Sequence, residues 1–491
     1  DRRKRFDRAA EMLEIGNRSS SLSRRVALLL ADEHPITAGA SLGRRWHFGS
    51  VLAAIAVAAL LSTMPLAKSP YAFGQNAFAS LSPIAAANRS ARTWHAVPPG
   101  TQPAHAPPHG TSRVATANGT STSSSELEEP DRNPEACKPE LAVPGDARQK
   151  AVSLSLEWLV RHQSADGGWR FAHGASCPIK QADGQGACSG EGNGKADTAS
   201  TGIVLLALMA AGHQPGVEGP YREAIDRGVE WLVQQQADDG KLYGMGGSMY
   251  NQGIATLALC EAYQAHRARQ LEKPAQRAID FIVRAQDKGG GGWRYQPGMP
   301  GDTSVYGWQV LALRSAQQAR LIVDADTFAG ARKYLKSVAR GPDEAFYAYV
   351  PDGFAAQEAS TLNAIGPLAK QLLGAAPDDK SIAKGIELLA KAKPDMGPAR
   401  DSYRWFFSSQ AIDRSSNAAE RIAWQAELSA VLVRSQETAG CKAGSWDPAR
   451  PAPDKWAPMG GRVMVTALSA IALSAGERRL AIFKVARGEL D

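Results

Sequence analysis

The stretch SLEWLVRHQSADGGWRF, residues 155–171, decides how the rest of the chain is read, because it returns twice. It reappears as GVEWLVQQQADDGKLYG at 228–244 and as AIDFIVRAQDKGGGGWRY at 278–295. Each copy opens as an amphipathic helix, with Trp158 and Leu159, or Trp231 and Leu232, on one face and charges on the other. A second helical run follows each turn: DTASTGIVLLALMAAG (197–212), MYNQGIATLALCEAY (249–263) and DTSVYGWQVLALRSAQQA (302–319). This second type is nearly uniform in small and apolar residues, the composition of a helix covered on all sides. Alternation of the two types every roughly 50–70 residues predicts two concentric helical layers.

Extended along the chain, the pattern predicts six hairpins. Outer helices are expected at about 147–163, 222–237, 273–286, 327–339, 380–392 and 418–436. Inner helices are expected at about 198–212, 250–265, 303–319, 355–373, 401–411 and 461–475, the fifth of them short and aromatic (Tyr403, Arg404, Trp405, Phe406, Phe407). Six hairpins can close into a ring, which leaves no unsealed end.

The turns between the layers share a motif. Gln163-x3-Gly167-x-Trp169 is Q-x3-G-x-W, and Gln286 to Trp293 repeats it with one extra Gly, while Gln236…Gly240 and Gln436…Gly440 keep its first half. Gln is suited to closing the outer helix on backbone groups, Gly to a left-handed turn, and Trp to packing on the next hairpin. These repeats resemble the squalene cyclase / protein prenyltransferase β-subunit superfamily, the QW-repeat proteins, over about residues 147–476. The resemblance implies an all-α fold, a six-hairpin α/α toroid (an α6-α6 barrel) with a central cavity, here catalytically degenerate.

Neither chemistry of that superfamily carries over intact. Its cyclases protonate an alkene with the middle Asp of D-x-D-D-T-A, but the matching run Gly194-Lys195-Ala196-Asp197-Thr198-Ala199 has Ala196 at the donor's place. Its prenyltransferases hold zinc with an Asp, a Cys two residues on, and a distant His. Here Asp302 keeps the first place, Ser304 replaces the Cys, and the last inner run GGRVMVTALSAIAL has no His. The Cys-Gly-Glu-Gln run of thioester toroids is absent, and Gly289 to Gly292 precede no Lys-Ser/Thr of a phosphate loop. No metal and no cofactor are therefore expected.

The remaining candidates lie where inner helices begin, on one rim of the cavity. Asp302, Glu358 and Asp197 are the candidate catalytic carboxylates; Tyr250, Gln252, Tyr306, Trp308, Gln357, Arg404 and Arg462 are the candidate binding residues. Asp197 and Asp302 equally suit helix N-caps, and Glu358, Arg404 and Arg462 equally suit ion pairs across the rim. Cys177 and Cys188 share one Gly-rich loop and are expected to form a disulfide. Cys441 lies in the sixth outer-to-inner turn, which ring closure would bring near that loop. Cys260 reads as core, and Cys137 is unassigned.

Upstream, the chain reads as a membrane anchor. It has 491 residues, 56 Lys+Arg against 49 Asp+Glu and a net charge of +7, but residues 1–45 hold ten of those bases against six acids and so +4 of the total. Between Phe48 and Ala67 there is no charge, and twenty helical residues reach about 30 Å, a bilayer core. Arg44 and Arg45 at one end orient the N-terminus to the cytoplasm. The basic charge thus belongs to a membrane span and predicts no nucleic-acid surface. Residues 1–45 are the cytoplasmic segment, 46–67 the span, and 68–145 a Pro/Ser/Thr-rich linker with scattered His95, His105 and His109. The toroid fills 146–478, and 479–491 is a tail. The N-terminal part also resembles, over fewer than 70 residues, the tail of sensor-type membrane metallopeptidases, and the start at Asp1 without a Met fits the end of a longer protein. H-E-x-x-H occurs nowhere in the chain.

The expected function is a membrane-anchored, extracytoplasmic module binding a peptide, glycan or lipid at the rim. The alternative is an enzyme on isoprenoid or lipid substrates with a rearranged site around Asp302 and Glu358. A filled centre would favour the first, a deep aromatic pocket with a carboxyl of raised pKa the second.

Overall fold

A computed structural model describes residues 145–180, 188–244, 246–376, 378–477 and 479–484. The basic segment 1–45, the apolar segment 46–67, the linker and Cys137 lie outside the described residues, as does the end of the tail. Among the described residues no helix is long and apolar enough to cross a membrane.

Six hairpins form as outer–inner pairs. They are α1 (Gly145–Arg161) with α2 (Asp197–Ala210), α3 (Arg222–Gln235) with α4 (Met249–His266), α5 (Arg269–Arg284) with α6 (Thr303–Gln318), α7 (Ala325–Val338) with α8 (Thr361–Leu372), α9 (Lys380–Lys391) with α10 (Ser402–Asp413), and α11 (Ala418–Ser435) with α12 (Ala457–Leu473). Each inner helix packs on the next, α2 on α4, α4 on α6, α6 on α8, α8 on α10 and α10 on α12, and α12 returns to α2. The outer layer closes too, because α11 and α12 both pack on α1. The toroid follows from these contacts. Every residue of α2 after Asp197 is buried, which is why its sequence shows no polar stripe. Inner helices approach closely at small residues: a Cβ on Gly202 would lie 3.1 Å from the Ala255 backbone.

The turn motif works as a clasp between hairpins. Gln163 Nε2 donates to Gly167 O in its own turn (2.7 Å) and to Ala224 O of the next outer helix (2.9 Å). Gln286 does the same to Gly291 O (2.8 Å) and Thr327 O (3.0 Å). The indole N–H of Trp169 and of Trp293 folds back onto its own outer helix, at Leu159 O (2.7 Å) and Ile282 O (2.8 Å).

Three expectations are corrected. The turn at Gln436 is a complete motif, not a half: Gln436 donates to Gly444 O and Ala151 O (both 2.8 Å), and Trp446 donates to Leu432 O (2.9 Å). A short inserted 3-10 turn (Gly440–Lys442) had hidden it, and Ala151 lies on α1, so this clasp seals the ring. The fourth inner helix starts at Thr361 rather than 355, because Ala355 bridges to Ala348 beside a two-residue hairpin pair (β1 Ala339–Arg340, β2 Phe346–Tyr347). The fifth inner helix is short, as expected: capped by Asp401, it has 12 residues, as α8 does. The sixth begins earlier, at Ala457, with a kink at Gly461 (φ +54°), where a Cβ would strike the Gly190–Gly192 backbone.

After α12 the chain turns past α10 and forms α13 (Ala481–Lys484), seated on α4 and α6. Those pairs lie on opposite sides of the ring, so residues 475–484 cross the opening at the inner helices' C-terminal end. Leu480, Ile482 and Phe483 are buried there. Glu261 on α4, itself buried, accepts from Ala481 N (2.6 Å), Ile482 N (3.1 Å) and Ser315 Oγ (2.6 Å).

Candidate functional site

With one end crossed by its own chain, the ring presents its mouth at the N-termini of the inner helices. Asp302 caps α6, accepting from Ser304 N (3.0 Å) and Val305 N (2.9 Å) through Oδ1. The N-cap role anticipated for this residue is therefore real. Its other oxygen is a separate matter: Oδ2 is buried, with Arg294 Nε 3.9 Å away and the Tyr349 hydroxyl beside the carboxyl. Burial pushes the Asp302 carboxyl up, against the two backbone donors.

Tyrosines stand around this carboxyl. The Tyr250 hydroxyl donates to Ser304 Oγ (2.7 Å), and its ring lies 6.3 Å from that of Tyr295. Tyr295 and Tyr349 share a hydroxyl–hydroxyl hydrogen bond, and the Arg294 guanidinium sits 5.4 Å and 5.7 Å from their rings. Burial raises the Tyr250 and Tyr349 hydroxyls well above their ordinary range, so both are neutral donors. Tyr250 and Tyr349 are half-buried and Tyr295 is 39% exposed. The loop after Tyr349 carries Gln357 and Glu358, both exposed, and Phe354, at 96% the most exposed large apolar side chain described.

Below the mouth the interior is packed. Trp308 on α6 stacks on Phe406 of α10 (centroids 5.2 Å, 13° apart), meets Phe407 edge-on at 5.4 Å, and donates its indole N–H to the Tyr403 hydroxyl. Helices α6 and α10 flank α8 in the ring, so these rings meet inside it, in front of α8. All four are buried. Two clefts, of about 310 Å³ beside α1, α10 and α11 and about 880 Å³ along α11 and the loop after it, lie away from this cluster.

Several expected rim residues turn inward instead. Gln252 is fully buried and serves the backbone, accepting from Leu242 N (2.8 Å) and donating to Gly240 O and Ala278 O (both 3.1 Å). Tyr306, also buried, donates to Ala331 O (3.0 Å), and Arg404 to Ala392 O (2.8 Å). Arg462 is buried against the last turn, donating to Ser189 O (2.8 Å) and Ser445 Oγ (3.0 Å), with Asp447 at 3.3 Å. Asp197 is not an N-cap; it opens α2 beside Arg170 at 3.5 Å. That pair is the repeat of Arg294–Asp302, an Arg just after the motif Trp facing the Asp at the next inner helix. The mouth residues not anticipated are Arg294, Tyr295, Tyr349 and Phe354. Arg294-Tyr295 had a signal in the repeated Trp-Arg-aromatic triplet, whereas the loop with Tyr349 and Phe354 has no repeat equivalent.

A second grouping lies at the seam. No disulfide joins Cys177 and Cys188, where one was expected; both are thiols. A ring nitrogen of His162 and these two sulfurs all lie within 4.8 Å of one another, buried. Sulfur contacts from Cys441 and Cys177 reinforce the burial that pushes the Cys188 thiol up. Burial also holds His162 and its neighbour His173 near 4, both neutral.

Residues 139–252 match the sequence profile of the squalene-hopene cyclase C-terminal domain, and the resemblance of the QW turns to that superfamily stands. No curated protein sequence matches the chain. Among solved structures, a GH76A α-1,6-mannanase from Salegentibacter sp. HEL1_6 aligns at 11% identity over 67% of this chain and 99% of its own, with a TM-score of 0.47. A novel alpha-amylase from Clostridium perfringens does so at 11%, 67%, 97% and 0.45, and the type II terpene cyclase MstE from Scytonema at 15%, 68%, 100% and 0.43. At that level of similarity none of the three bears on this chain's chemistry.

Proposed function

We propose that this protein is a binding module, tethered to a membrane through residues 46–67, whose toroid takes a glycan or peptide at its mouth. The observation that carries the reading is the packed interior: Trp308, Tyr403, Phe406 and Phe407 occupy the space an isoprenoid would need. The accessible aromatic surface is at the rim instead. Tyr295, Tyr349 and Phe354 offer ring faces, and Arg294 a charge. A ligand with an apolar face and polar edges suits this lining, as a sugar ring does. Such a lining favours glycan or peptide over lipid.

The test is ligand capture by the full chain in detergent. Mass spectrometry of retained molecules, and titration with oligosaccharides followed by aromatic fluorescence, should give saturable binding that Tyr295→Ala and Arg294→Ala abolish. A retained polyprenyl lipid would overturn the reading. One observation favours the catalytic alternative: Asp302 is a buried carboxyl with raised pKa. Turnover of a polyprenyl substrate, lost in Asp302→Asn, would establish it.

A further inference from the structure

We propose that His162, Cys177, Cys188 and Cys441 form a zinc site that fastens the last hairpin of the ring to the first. The donors come from two distant places in the chain. His162 follows α1, Cys177 and Cys188 flank the loop to α2, and Cys441 lies in the 3-10 turn between α11 and α12. Ring closure alone brings them together, and Cys188 Sγ reaches Cys441 O at 3.2 Å. His162, Cys177 and Cys188 lie within 4.8 Å of one another, which suits three donors around one ion; Cys441 stands outside that trio but touches Cys188, and its sulfur would turn in to complete a tetrahedral set of three sulfurs and one imidazole.

The histidine is prepared for the role. Its Nδ1 lies 2.7 Å from Trp158 O, which fixes the proton there and leaves Nε2 with the lone pair. That Nε2 is buried and has no hydrogen-bond partner, in a residue only 1% exposed. A buried orphan nitrogen costs free energy unless something binds it. The ring is held in place by stacking on Trp158 at 4.1 Å. Three thiols release three protons on binding, so the ion with three thiolates carries a single negative charge. The buried Arg462 guanidinium, which also pairs with Asp447 at 3.3 Å, is a cation near enough for its charge to be felt at His162 and His173. Cys177 and Cys188 are almost wholly buried, which makes this a closed, structural site and not a catalytic one. It is also distinct from Asp302 and Ser304 at the mouth.

The full chain, purified in detergent with reductant and equilibrated with zinc chloride, should retain a single zinc ion per chain by elemental mass spectrometry. Cys188→Ser and His162→Ala should lose it, while Cys260→Ser, on α4, should keep it. Cobalt(II) bound to the wild-type chain should give a thiolate-to-metal charge-transfer band and the intense visible bands of a tetrahedral site, a readout independent of whether the variants fold. A metal-free reduced chain without the cobalt bands would overturn the proposal. So would a Cys177–Cys188 disulfide found by non-reducing peptide mapping of protein purified without reductant.

Discussion

The run Gly289 to Gly292 allows a sharp test of the clasp, because two of its glycines differ only in backbone. Gly291 has φ +81°, and a Cβ there would lie 2.1 Å from Gly330 O of the next outer helix. Gly289 has no left-handed backbone, and its Cβ would meet only Asp287 Oδ1 at 3.5 Å. In Gly291→Ala the left-handed conformation costs about 1 kcal/mol. Relieving the contact moves the turn off α7 and stretches both Gln286 hydrogen bonds, each worth about 1 kcal/mol. The loss should total about 3 kcal/mol, whereas Gly289→Ala should gain up to about 0.5 kcal/mol by restricting the unfolded chain. Urea titration followed by tryptophan fluorescence, with Trp293 next to the site, measures both. If the two variants unfold within about 0.5 kcal/mol of each other, the clasp argument fails.

Further expectations concern the seam, the mouth and the far opening. Gln436→Leu strips donors from Ala151 O and Gly444 O and should cost about 2 kcal/mol in the same titration; no change would mean the seam is held otherwise. Asp302→Asn keeps the Oδ1 cap and should leave stability unchanged, while Asp302→Ala should cost about 1 kcal/mol. Equal melting of the two variants would deny the cap. Burial raises the Glu261 carboxyl, so its contribution to stability is complete below the unfolded carboxyl's pKa and is lost as pH rises through the folded one. Wild type should therefore lose thermal stability relative to Glu261→Gln as pH climbs past about 4.3. A difference that moves the other way would show the three donors outweighing burial.

The hairpins were legible because a helix buried on both sides and one buried on a single face leave different residue patterns. Periodicity then located nearly every helix, with errors where local chemistry intervened. The Ala348–Ala355 bridge delayed α8, and the insert at Gly440–Lys442 separated Gln436 from its Trp446. At the mouth, position was legible and orientation was not. Tyr250 and Asp302 reach it, but Gln252, two residues along from Tyr250, faces the outer layer. Arg404 and Arg462 looked like binding groups because an arginine's sequence position does not reveal whether its donors meet solvent or backbone carbonyls. At the seam, ring closure placed Cys441 beside the loop of Cys177 and Cys188, as the structure has it, but nothing in the sequence pointed to His162 as their neighbour.

The segment that crosses the far opening has a bearing on synthesis. A ribosome delivers α4 long before residues 481 and 482, so Glu261 waits without its backbone donors until nearly the whole toroid has emerged. A chain interrupted within α12 would leave an unanswered carboxyl and the uncovered ends of α4 and α6 open to water. Arrival of Leu480, Ile482 and Phe483 ends that vulnerable interval, which makes these few residues the latch by which a finished molecule differs from an unfinished one in the eyes of a protease.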